Sequence, residues 1–385
     1  PTPPPRAPPA GARAGGSLSQ WGRGGRAHLP PPAPAPPPPR HSLDCDFERT
    51  GEIDVATETY QAFELRDWYE ETVRRGLAED TEFLDAEAVR EQVDSPTFVA
   101  GLYDRRGVAL VHPAKLAWGL KRACLRLGVR IYEHTPALTL KPYGAGMAVR
   151  TPYGRVRARR VALGTNIFPN LVKRVRSYTV PVYDYALMTE PLSPDRLASI
   201  GWSRRQGLGD SANQFHYFRL SADNRILWGG YDAIYSYGGR VRAEYDDRPE
   251  TYAKLAEHFF GCFPQLEGVR FTHAWGGAID TCSRFSAFFG TAYRERVAYA
   301  AGYTGLGVGA TRFGAEVMLD LLAGERTERT ELEMVRKKPL PFPPEPFAWT
   351  GIALTKWSLA RADAHGGRRN LWLKTMDRLG LGFDS

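Results

Sequence analysis

VAYAAGYTGLGVGATRFGAEVMLDLLAGERT, residues 297–327, contains a strand, a glycine turn and a helix in immediate succession. Its first seven residues are a mostly apolar run typical of a buried strand. Apolar side chains recur at helical spacing from Phe313 onward, with Thr311 as the predicted N-cap and Gly324 as the predicted C-cap. The turn between strand and helix therefore presents unpaired backbone N–H groups and the positive end of a helix dipole to an electron-rich ligand.

Three interpretations of this turn are open. A phosphate-binding turn of a nucleotide-binding βαβ unit needs a second parallel strand and an acidic residue about twenty positions on. Here a polar, proline-rich tail follows the helix, and the spacing G-x-G-x-G-A of residues 305–310 departs from that motif. The second interpretation is a turn at the end of a nucleotide-binding domain, with its N–H groups facing a flavin ring. The third is an ordinary tight turn that only packs a strand against a helix.

Composition and charge favour a globular chain with two domains. The chain has 385 residues, of which 43% are hydrophobic, and this length accommodates two domains. The net charge is +8, but residues 1–43 contribute several arginines and no acid. The remaining basic residues, such as the run 336–338, are scattered, which favours a solvated surface over a nucleic-acid partner.

Cysteine usage and hydropathy indicate the compartment. Four cysteines lie far apart and form no C-x-x-C pair, so we expect reduced thiols, no disulfide framework and no metal site. The sequence has no run of about eighteen apolar residues and no signal segment, so we expect a cytoplasmic chain without a membrane span. No feature indicates an oligomeric state. The cysteines are Cys45, Cys124, Cys262 and Cys282.

Residues 1–43 form a tail of unusual composition. Residues 1–40 are almost wholly Pro, Ala, Gly, Arg and Ser, and such a segment buries too little apolar surface to offset its ordering entropy. We expect it to be disordered. It is either a genuine linker or the product of a wrong reading frame or a joined gene.

The rest of the chain predicts a mixed α/β (α+β) fold. Residues 44–173 alternate predicted helices and strands, including a strand at 129–134. Residues 174–290 predict antiparallel, aromatic-rich strands, with a strand pair at 175–192. Residues 331–385 predict an extended proline-rich segment followed by two short helices.

A hairpin at residues 214–232 supplies the first candidate site residues. Asp223 and Asn224 form its predicted turn, because both tolerate the left-handed conformation that such a turn needs. Side chains alternate along a strand, so Tyr217 and Arg219 share one face. An arginine is the best partner for a substrate carboxylate, although a structural salt bridge is an alternative role for Arg219. His216 faces the other way, and we expect it to have a surface or packing role and not a catalytic one.

Several of these segments resemble the FAD-dependent oxidoreductases of the D-amino-acid oxidase / glycine oxidase / sarcosine oxidase superfamily. Residues 302–308, GYTGLGV, match the family's late G-x-[ST]-G-x-G turn, and residues 160–166 match its strand ending in [AG]-T-[NG]. The resemblance covers about residues 44–385. It is greatest to bacterial amine- and amino-acid-oxidising members such as glycine oxidase and γ-glutamylputrescine oxidoreductase.

The resemblance implies an FAD cofactor and oxidation of a C–N bond of a small amine or amino acid by hydride transfer to flavin. It implies that residues 44–173 and 291–330 are the remainder of an incomplete Rossmann-like FAD-binding domain, and that residues 174–290 are an antiparallel β-rich substrate domain. It makes Tyr217 and Arg219 the candidate catalytic residues. The implied cofactor-binding residues are Ala137, Gly164, Thr165, Gly302, Thr304, Gly305, Leu306, Gly307 and Val308.

The family's opening motif is absent from the sequence. These enzymes begin with a strand, G-x-G-x-x-G and a helix, whose backbone holds the pyrophosphate. No such segment precedes Asp44, so we expect an N-terminally truncated or altered member. The alternative to an active enzyme is an inactive remnant that does not retain FAD. An NAD-dependent enzyme would need a second Rossmann strand that the sequence does not contain.

Overall fold

The computed structural model describes residues 43–378. The predicted disorder of residues 1–43 therefore falls, apart from residue 43, outside the described residues. The strands are β1 Glu52–Ala56, β2 Thr81–Leu84, β3 Ala100–Asp104, β4 Thr139–Tyr143, β5 Gly146–Thr151, β6 Gly154–Ala158, β7 Val161–Leu163, β8 Val180–Thr189, β9 Gly207–Asp210, β10 His216–Leu220, β11 Ile226–Gly230, β12 Ile234–Tyr235, β13 Phe271–Thr281, β14 Phe288–Ala292 and β15 Val297–Ala301. The α-helices are α1 Thr59–Arg74, α2 Ala86–Gln92, α3 Pro113–Arg126, α4 Pro194–Ser199, α5 Pro249–Cys262, α6 Gly307–Ala323, α7 Glu328–Glu331, α8 Glu333–Arg336, α9 Phe347–Asp363 and α10 Leu371–Arg378.

A large, mostly antiparallel sheet dominates the molecule. Its strand order is β12-β8-β11-β10-β9-β1-β3-β2, with β13 also paired to β8. Only β1 and β9 pair in parallel within this sheet. The sheet therefore joins strands from both sides of residue 173, and the mixed α/β class predicted from the sequence is confirmed.

The two faces of the large sheet differ in character. One face packs against α5 in the main hydrophobic core, where Tyr183, Trp228 and Phe259 are buried. The other face carries Asp184 on β8 and Ile279 on β13; we call it the site face. Because β8 and β13 pair over ten residues of β8, these two strands form the longest ladder of the sheet.

Three tyrosines lie over glycines directly across from them in the sheets. Tyr217 covers Gly229, Tyr185 covers Gly276 and Tyr299 covers Gly290, and each is a register pair. A Cβ on Gly229 would come within 2.6 Å of the Tyr217 ring. The missing side chains thus let the rings lie flat on the backbone, which recovers packing that a glycine alone would forfeit.

A smaller sheet supports the glycine turn. It has the order β14-β15-β7, with β15 and β7 parallel. All of β15 is buried, and α6 packs on this sheet through Val317 against Phe289 and Ala300. A third sheet, β4-β5-β6, is an antiparallel meander.

Several local predictions are confirmed and others are wrong. The hairpin of β10 and β11 is present, and Asn224 has a positive φ of 61° in its turn. Gly324 ends α6 in the left-handed conformation. The helix begins at Gly307, however, so the predicted N-cap Thr311 is wrong. Residues 129–134 form no strand, and residues 175–192 hold one long strand, β8, after a 3₁₀ turn instead of a strand pair.

Within residues 43–378, no helix combines the length and apolarity needed to cross a bilayer. All four cysteines lie in this range and are free thiols.

Candidate functional site

The glycine turn after β15 leaves the start of α6 open. Gly302, Thr304 and Gly305 have φ values of 72°, 51° and 83°, so the chain turns sharply before the helix begins. The N-cap residue is Leu306, and its side chain makes no capping hydrogen bond. Backbone N–H groups in the first turn of a helix have no partner within the helix, so they are directed outward here.

Asp280, at the end of β13, holds this turn in place. The Gly302 N–H donates to Asp280 Oδ2 at 2.6 Å, and the Thr304 N–H donates to the Asp280 carbonyl at 3.3 Å. Asp280 is 2% exposed. Burial raises the pKa of its carboxyl, while the backbone N–H bonds, led by that of Gly302, oppose the rise. This buried carboxyl therefore fixes the turn to the longest ladder of the large sheet.

The glycines that the sequence assigns to cofactor binding fall into two groups. A Cβ on Gly302 would lie 2.8 Å from Cys282 Cβ, so this glycine is needed for packing. At Gly305 the nearest atom would be Ile279 Cδ1 at 3.8 Å, and at Gly307 it would be Thr311 Cγ2, also at 3.8 Å. These two glycines leave space beside the turn.

The other predicted cofactor-binding residues lie at or near accessible positions. Val308 is 50% exposed in the first turn of α6. Gly164, just after β7, has no atom within 4 Å of a built Cβ. Thr165 is half-buried and its carbonyl accepts the Phe168 N–H, while Ala137 is exposed. Because β7 and β15 are parallel neighbours, Gly164 and Gly302 both follow the carboxyl ends of adjacent strands.

The hydroxyl of Thr304 stays within the turn. It donates to the Gly302 carbonyl at 3.1 Å and accepts the Cys282 N–H at 3.3 Å. The buried Cys282 thiol in turn bonds to the Ser286 and Gly302 carbonyls, and burial raises its pKa. These contacts give Cys282 a packing role beneath the turn.

The site face of the large sheet approaches the glycine turn at Ile279, whose Cδ1 would lie 3.8 Å from a Cβ on Gly305. Next along this face, Gly277 of β13 pairs with Asp184 of β8. Tyr217 of β10 completes the group, because its hydroxyl donates to Asp184 Oδ2 at 2.8 Å. The turn and Tyr217 therefore lie on one continuous surface.

Arg219 is on the same face of β10 as Tyr217 but has other partners. Its Nη1 donates to the Val111 carbonyl at 2.7 Å and its Nε donates to the Leu220 carbonyl at 3.3 Å. Burial lowers the pKa of its guanidinium. Two of its donors are thus committed to backbone oxygens.

A histidine pair lies on the opposite face of the sheet. His216 Nδ1 is 2.6 Å from Asp210 Oδ2, and His216 Nε2 is 2.9 Å from His258 Nδ1. Burial lowers the pKa of His258, and the neighbouring His216 adds to this effect. His216 also stacks on Trp228, so it is a core residue, as expected.

Two acids of the site were missed in the sequence. Asp184 is the one charged residue of β8, and Asp280 is the only carboxylate of β13. A lone acid inside a long, mostly apolar strand is the signal that could have identified both, because a buried charge requires specific partners. Within residues 43–378, no cluster of three or more His, Cys, Asp or Glu side chains is arranged to hold a metal ion.

Comparison with known proteins shows to which family this chain belongs. The family model "FAD dependent oxidoreductase" (DAO) matches residues 36–321. The γ-glutamylputrescine oxidoreductase of Escherichia coli is 32% identical over 293 residues, covering 74% of this chain and 64% of the relative. The probable oxidoreductase OrdL of Haemophilus influenzae is 25% identical, with the same two coverages. The chain thus spans just under two thirds of these relatives' length.

The fold agrees with solved structures of related enzymes. Glycine oxidase from Geobacillus kaustophilus superposes with a TM-score of 0.62 at 19% identity, over 75% of each chain. Glycine oxidase from Bacillus cereus gives 0.64 at 16% identity, over 78% of this chain and 79% of that one. The family resemblance inferred from residues 302–308 is therefore confirmed: the chain belongs to the DAO family of FAD-dependent oxidoreductases, whose cofactor is FAD.

Proposed function

We propose that this chain acts as an FAD-dependent oxidoreductase on the C–N bond of a small amine or amino acid. The observation that carries the proposal is the open glycine turn at the start of α6, placed against Ile279 of the site face. Family membership supports it, and so does the name of the E. coli relative, which describes an oxidoreductase of an amine.

The residues of the turn fit the ring end of FAD. Gly305 and Gly307 leave space, and the side chain of the N-cap residue Leu306 makes no capping hydrogen bond. When bound, FAD supplies the electron acceptor for hydride removal from carbon. The proposed role of residues 305–308 is to donate N–H bonds to the negatively charged edge of the ring. Gly164 and Thr165 are the proposed contacts to the nucleotide part, with Ala137 further out.

The proposed substrate residues lie across the turn. Tyr217 is half-buried on the site face, and its hydroxyl donates to Asp184 Oδ2 at 2.8 Å. Arg219 is a proposed site residue through its place on the same strand, although its guanidinium donates to the Val111 and Leu220 carbonyls. For substrate binding, Tyr217 is therefore the stronger of the two.

We propose the same domain division as the sequence, with 44–173 and 291–330 on the cofactor side and 174–290 on the substrate side. Strands β1 to β3 are an exception, because they extend the large sheet. The cofactor side also carries a run of exposed apolar residues in α3 and in the segment that follows it. These are Trp118, Leu120, Leu125, Leu127, Val129, Ile131, Tyr132 and Leu138. The free thiols support a cytoplasmic location.

A second candidate is a chain that folds but does not retain FAD. The observation that favours it is the lack of any G-x-G-x-x-G in the 385 residues. In that motif the backbone and helix N-terminus grip the pyrophosphate, so without it FAD affinity rests on the ring and adenosine contacts.

Reconstitution with FAD separates the two candidates. The purified chain is mixed with FAD, and binding is measured by the quenching of flavin fluorescence. Addition of an aliphatic amine without oxygen should then bleach the visible flavin absorbance if the proposed function is correct. A protein that binds no FAD at high flavin concentration supports the second candidate. A protein that binds FAD but is reduced by neither amines nor amino acids contradicts the proposed function.

A further inference from the structure

On the site face, the hydrogen bond between Asp184 and Tyr217 fixes the direction in which the Tyr217 hydroxyl donates its proton. Asp184 Oδ1 accepts the Tyr185 N–H at 2.8 Å, and Oδ2 accepts the Tyr217 hydroxyl at 2.8 Å. The Gly230 N–H also donates to this carboxyl. All three neighbours are donors, so the carboxylate acts only as an acceptor here.

Tyr217 has one hydroxyl proton, and that proton is donated to Asp184. The remaining capacity of the phenol oxygen is its lone pairs, which can only accept hydrogen bonds. Burial and the neighbouring Asp184 raise the pKa of Tyr217 well above its ordinary value, so the phenol keeps its proton. Burial raises the pKa of the Asp184 carboxyl, and the hydrogen bond from Tyr217 opposes the rise. With Asp184 ionised, the pair meets a ligand only as a hydrogen-bond acceptor.

The backbone beside this pair leaves room for a ligand. Gly277 lies directly across from Asp184 in the ladder, and a Cβ built on it has no atom within 4 Å. Trp275, two residues before Gly277 on the same face, is 41% exposed. Ile279, two residues after it, lies beside the glycine turn, with its Cδ1 3.8 Å from the place that a Cβ on Gly305 would take. Residues two apart on a strand are about 7 Å apart, so a small ligand over Gly277 reaches both the pair and the turn.

Arg219 does not give this site a preference for a substrate carboxylate. A substrate carboxylate requires free donors, and the Arg219 bonds to the Val111 and Leu220 carbonyls commit two of its nitrogens. The one hydroxyl proton of Tyr217 is likewise already donated, to Asp184. The Arg219 guanidinium keeps further N–H groups, but the Val111 and Leu220 carbonyls hold it, whereas Asp184 lies directly across from Gly277.

We propose that Asp184, Tyr217 and the gap over Gly277 form a recognition site for a protonated amine, and that Asp184 makes this site select amines over carboxylates. The inference rests on the proposed function and narrows its substrate class to amines that present an N–H donor without an adjacent carboxylate. Tyr217 accepts the N–H bond, and Asp184 positions the Tyr217 proton and supplies the negative charge.

The test compares two probes of equal length, 1-aminobutane and butyrate, by isothermal titration of the full chain at neutral pH with FAD present. The wild type should bind the amine more tightly than the carboxylate. Tyr217→Phe removes the acceptor and should weaken amine binding roughly tenfold or more, since bonds to charged groups are among the stronger ones. Gly277→Val fills the gap and should abolish binding of both probes.

Asp184→Asn tests the ratio of amine affinity to carboxylate affinity, which would not change if Asp184 had a purely structural role. The Tyr185 N–H keeps the amide oxygen at the Oδ1 position, so the amide NH₂ faces Tyr217 and donates to it. The Tyr217 hydroxyl must then turn outward as a donor. We expect the ratio of amine affinity to carboxylate affinity to fall at least tenfold and the preference to reverse.

Tyr299→Phe is the matched control, because Tyr299 also lies over a glycine and its hydroxyl has no partner among the described residues. It should leave both affinities unchanged. An unchanged affinity ratio in Asp184→Asn, or a wild type that prefers butyrate or binds neither probe, overturns the proposal. If Asp184→Asn does not fold, the other two variants decide. Unchanged amine affinity in Tyr217→Phe or in Gly277→Val then overturns the proposal.

Flavin reduction by 1-aminobutane is measured separately. Reduction with an unaltered affinity ratio in Asp184→Asn refutes the recognition site and leaves the proposed function standing. If Asp184→Asn reverses the preference for amine over carboxylate but 1-aminobutane does not reduce the flavin, the recognition site stands and the proposed function is refuted.

Discussion

Replacement of single turn glycines by alanine separates their packing role from their binding role. Gly302, Gly305 and Gly324 all have φ values between 72° and 83°, where an L side chain is strained. Their surroundings differ. A Cβ on Gly302 meets Cys282 Cβ at 2.8 Å, one on Gly305 meets only Ile279 Cδ1 at 3.8 Å, and one on Gly324 meets nothing within 4 Å.

The magnitudes follow from these distances. Left-handed backbone costs an L residue about 1–2 kcal/mol, and this is the whole expected loss of unfolding free energy in Gly324→Ala. Gly305→Ala should lose about the same amount, because its contact is an ordinary one. Gly302→Ala adds overpacking against Cys282, which typically costs about 1–3 kcal/mol more. The expected loss for Gly302→Ala is therefore roughly 2–5 kcal/mol.

Urea unfolding followed by tryptophan fluorescence measures the free energies, and flavin fluorescence quenching measures FAD affinity. Gly305→Ala should match Gly324→Ala in stability yet bind FAD more weakly, because its methyl group occupies the space beside the turn. Gly302→Ala should be the least stable of the three. Equal stabilities for Gly302→Ala and Gly324→Ala, or unaltered FAD affinity in Gly305→Ala, would refute the assignment.

Three further predictions follow from buried acids and from the missing motif. Burial and two neighbouring carboxylates raise the pKa of Glu52 from 4.5 to about 8, so the folded state keeps a proton that the unfolded state loses as pH rises above 4.5. Glu52→Gln should match the wild type in urea near pH 4.5 and exceed it by roughly 3–5 kcal/mol at pH 8, at about 1.4 kcal/mol for each pH unit between the two pKa values; an advantage that shrinks with pH contradicts this. Asp280→Ala should lose about 1–3 kcal/mol in the same assay, against less than about 0.5 kcal/mol for the exposed Asp67→Ala, and equal losses would exclude the anchoring role. A strand–G-x-G-x-x-G–helix unit fused ahead of residue 44 should tighten FAD binding about a thousandfold or more, through two or three phosphate bonds of roughly 1.5–3 kcal/mol each; an equal affinity with and without the unit is the contrary result.

Features of the fold that depend on one residue type or on near neighbours in the chain were predictable from the sequence. The left-handed C-cap at Gly324 and the positive φ of Asn224 follow from residue types that tolerate this backbone. The N-cap of α2 is similarly local, because the Asp85 side chain accepts the Ala88 N–H and aspartate is a preferred residue at this position. Period-two alternation also placed Tyr217 and His216 on opposite faces correctly.

Features that depend on distant partners were not predictable. The start of α6 at Gly307 contradicts the low helix propensity of glycine, because Asp280, more than twenty residues earlier, holds the preceding turn. Residues 129–134 have strand-like composition, but a strand needs a neighbour to pair with, and none pairs here among the described residues. Arg219 was placed on the correct face, yet its main partner is the Val111 carbonyl, 108 residues away in the chain.

The ladder of β8 and β13 explains why the two missed acids matter together. Asp184 lies inside this ladder and orients Tyr217, while Asp280 lies at its end and holds the glycine turn. A site built on paired strands keeps its groups at fixed spacing, whereas loops would let them drift. Because both acids belong to one ten-residue ladder, a shift of register would move the amine site and the turn relative to each other by a residue or more. The glycines across from Asp184 and Tyr217 fit this requirement, since Gly277 leaves space for a ligand and Gly229 lets the Tyr217 ring lie on the sheet. The long ladder thus sets the distance between the proposed substrate and cofactor contacts, and substitutions within it should alter both affinities together.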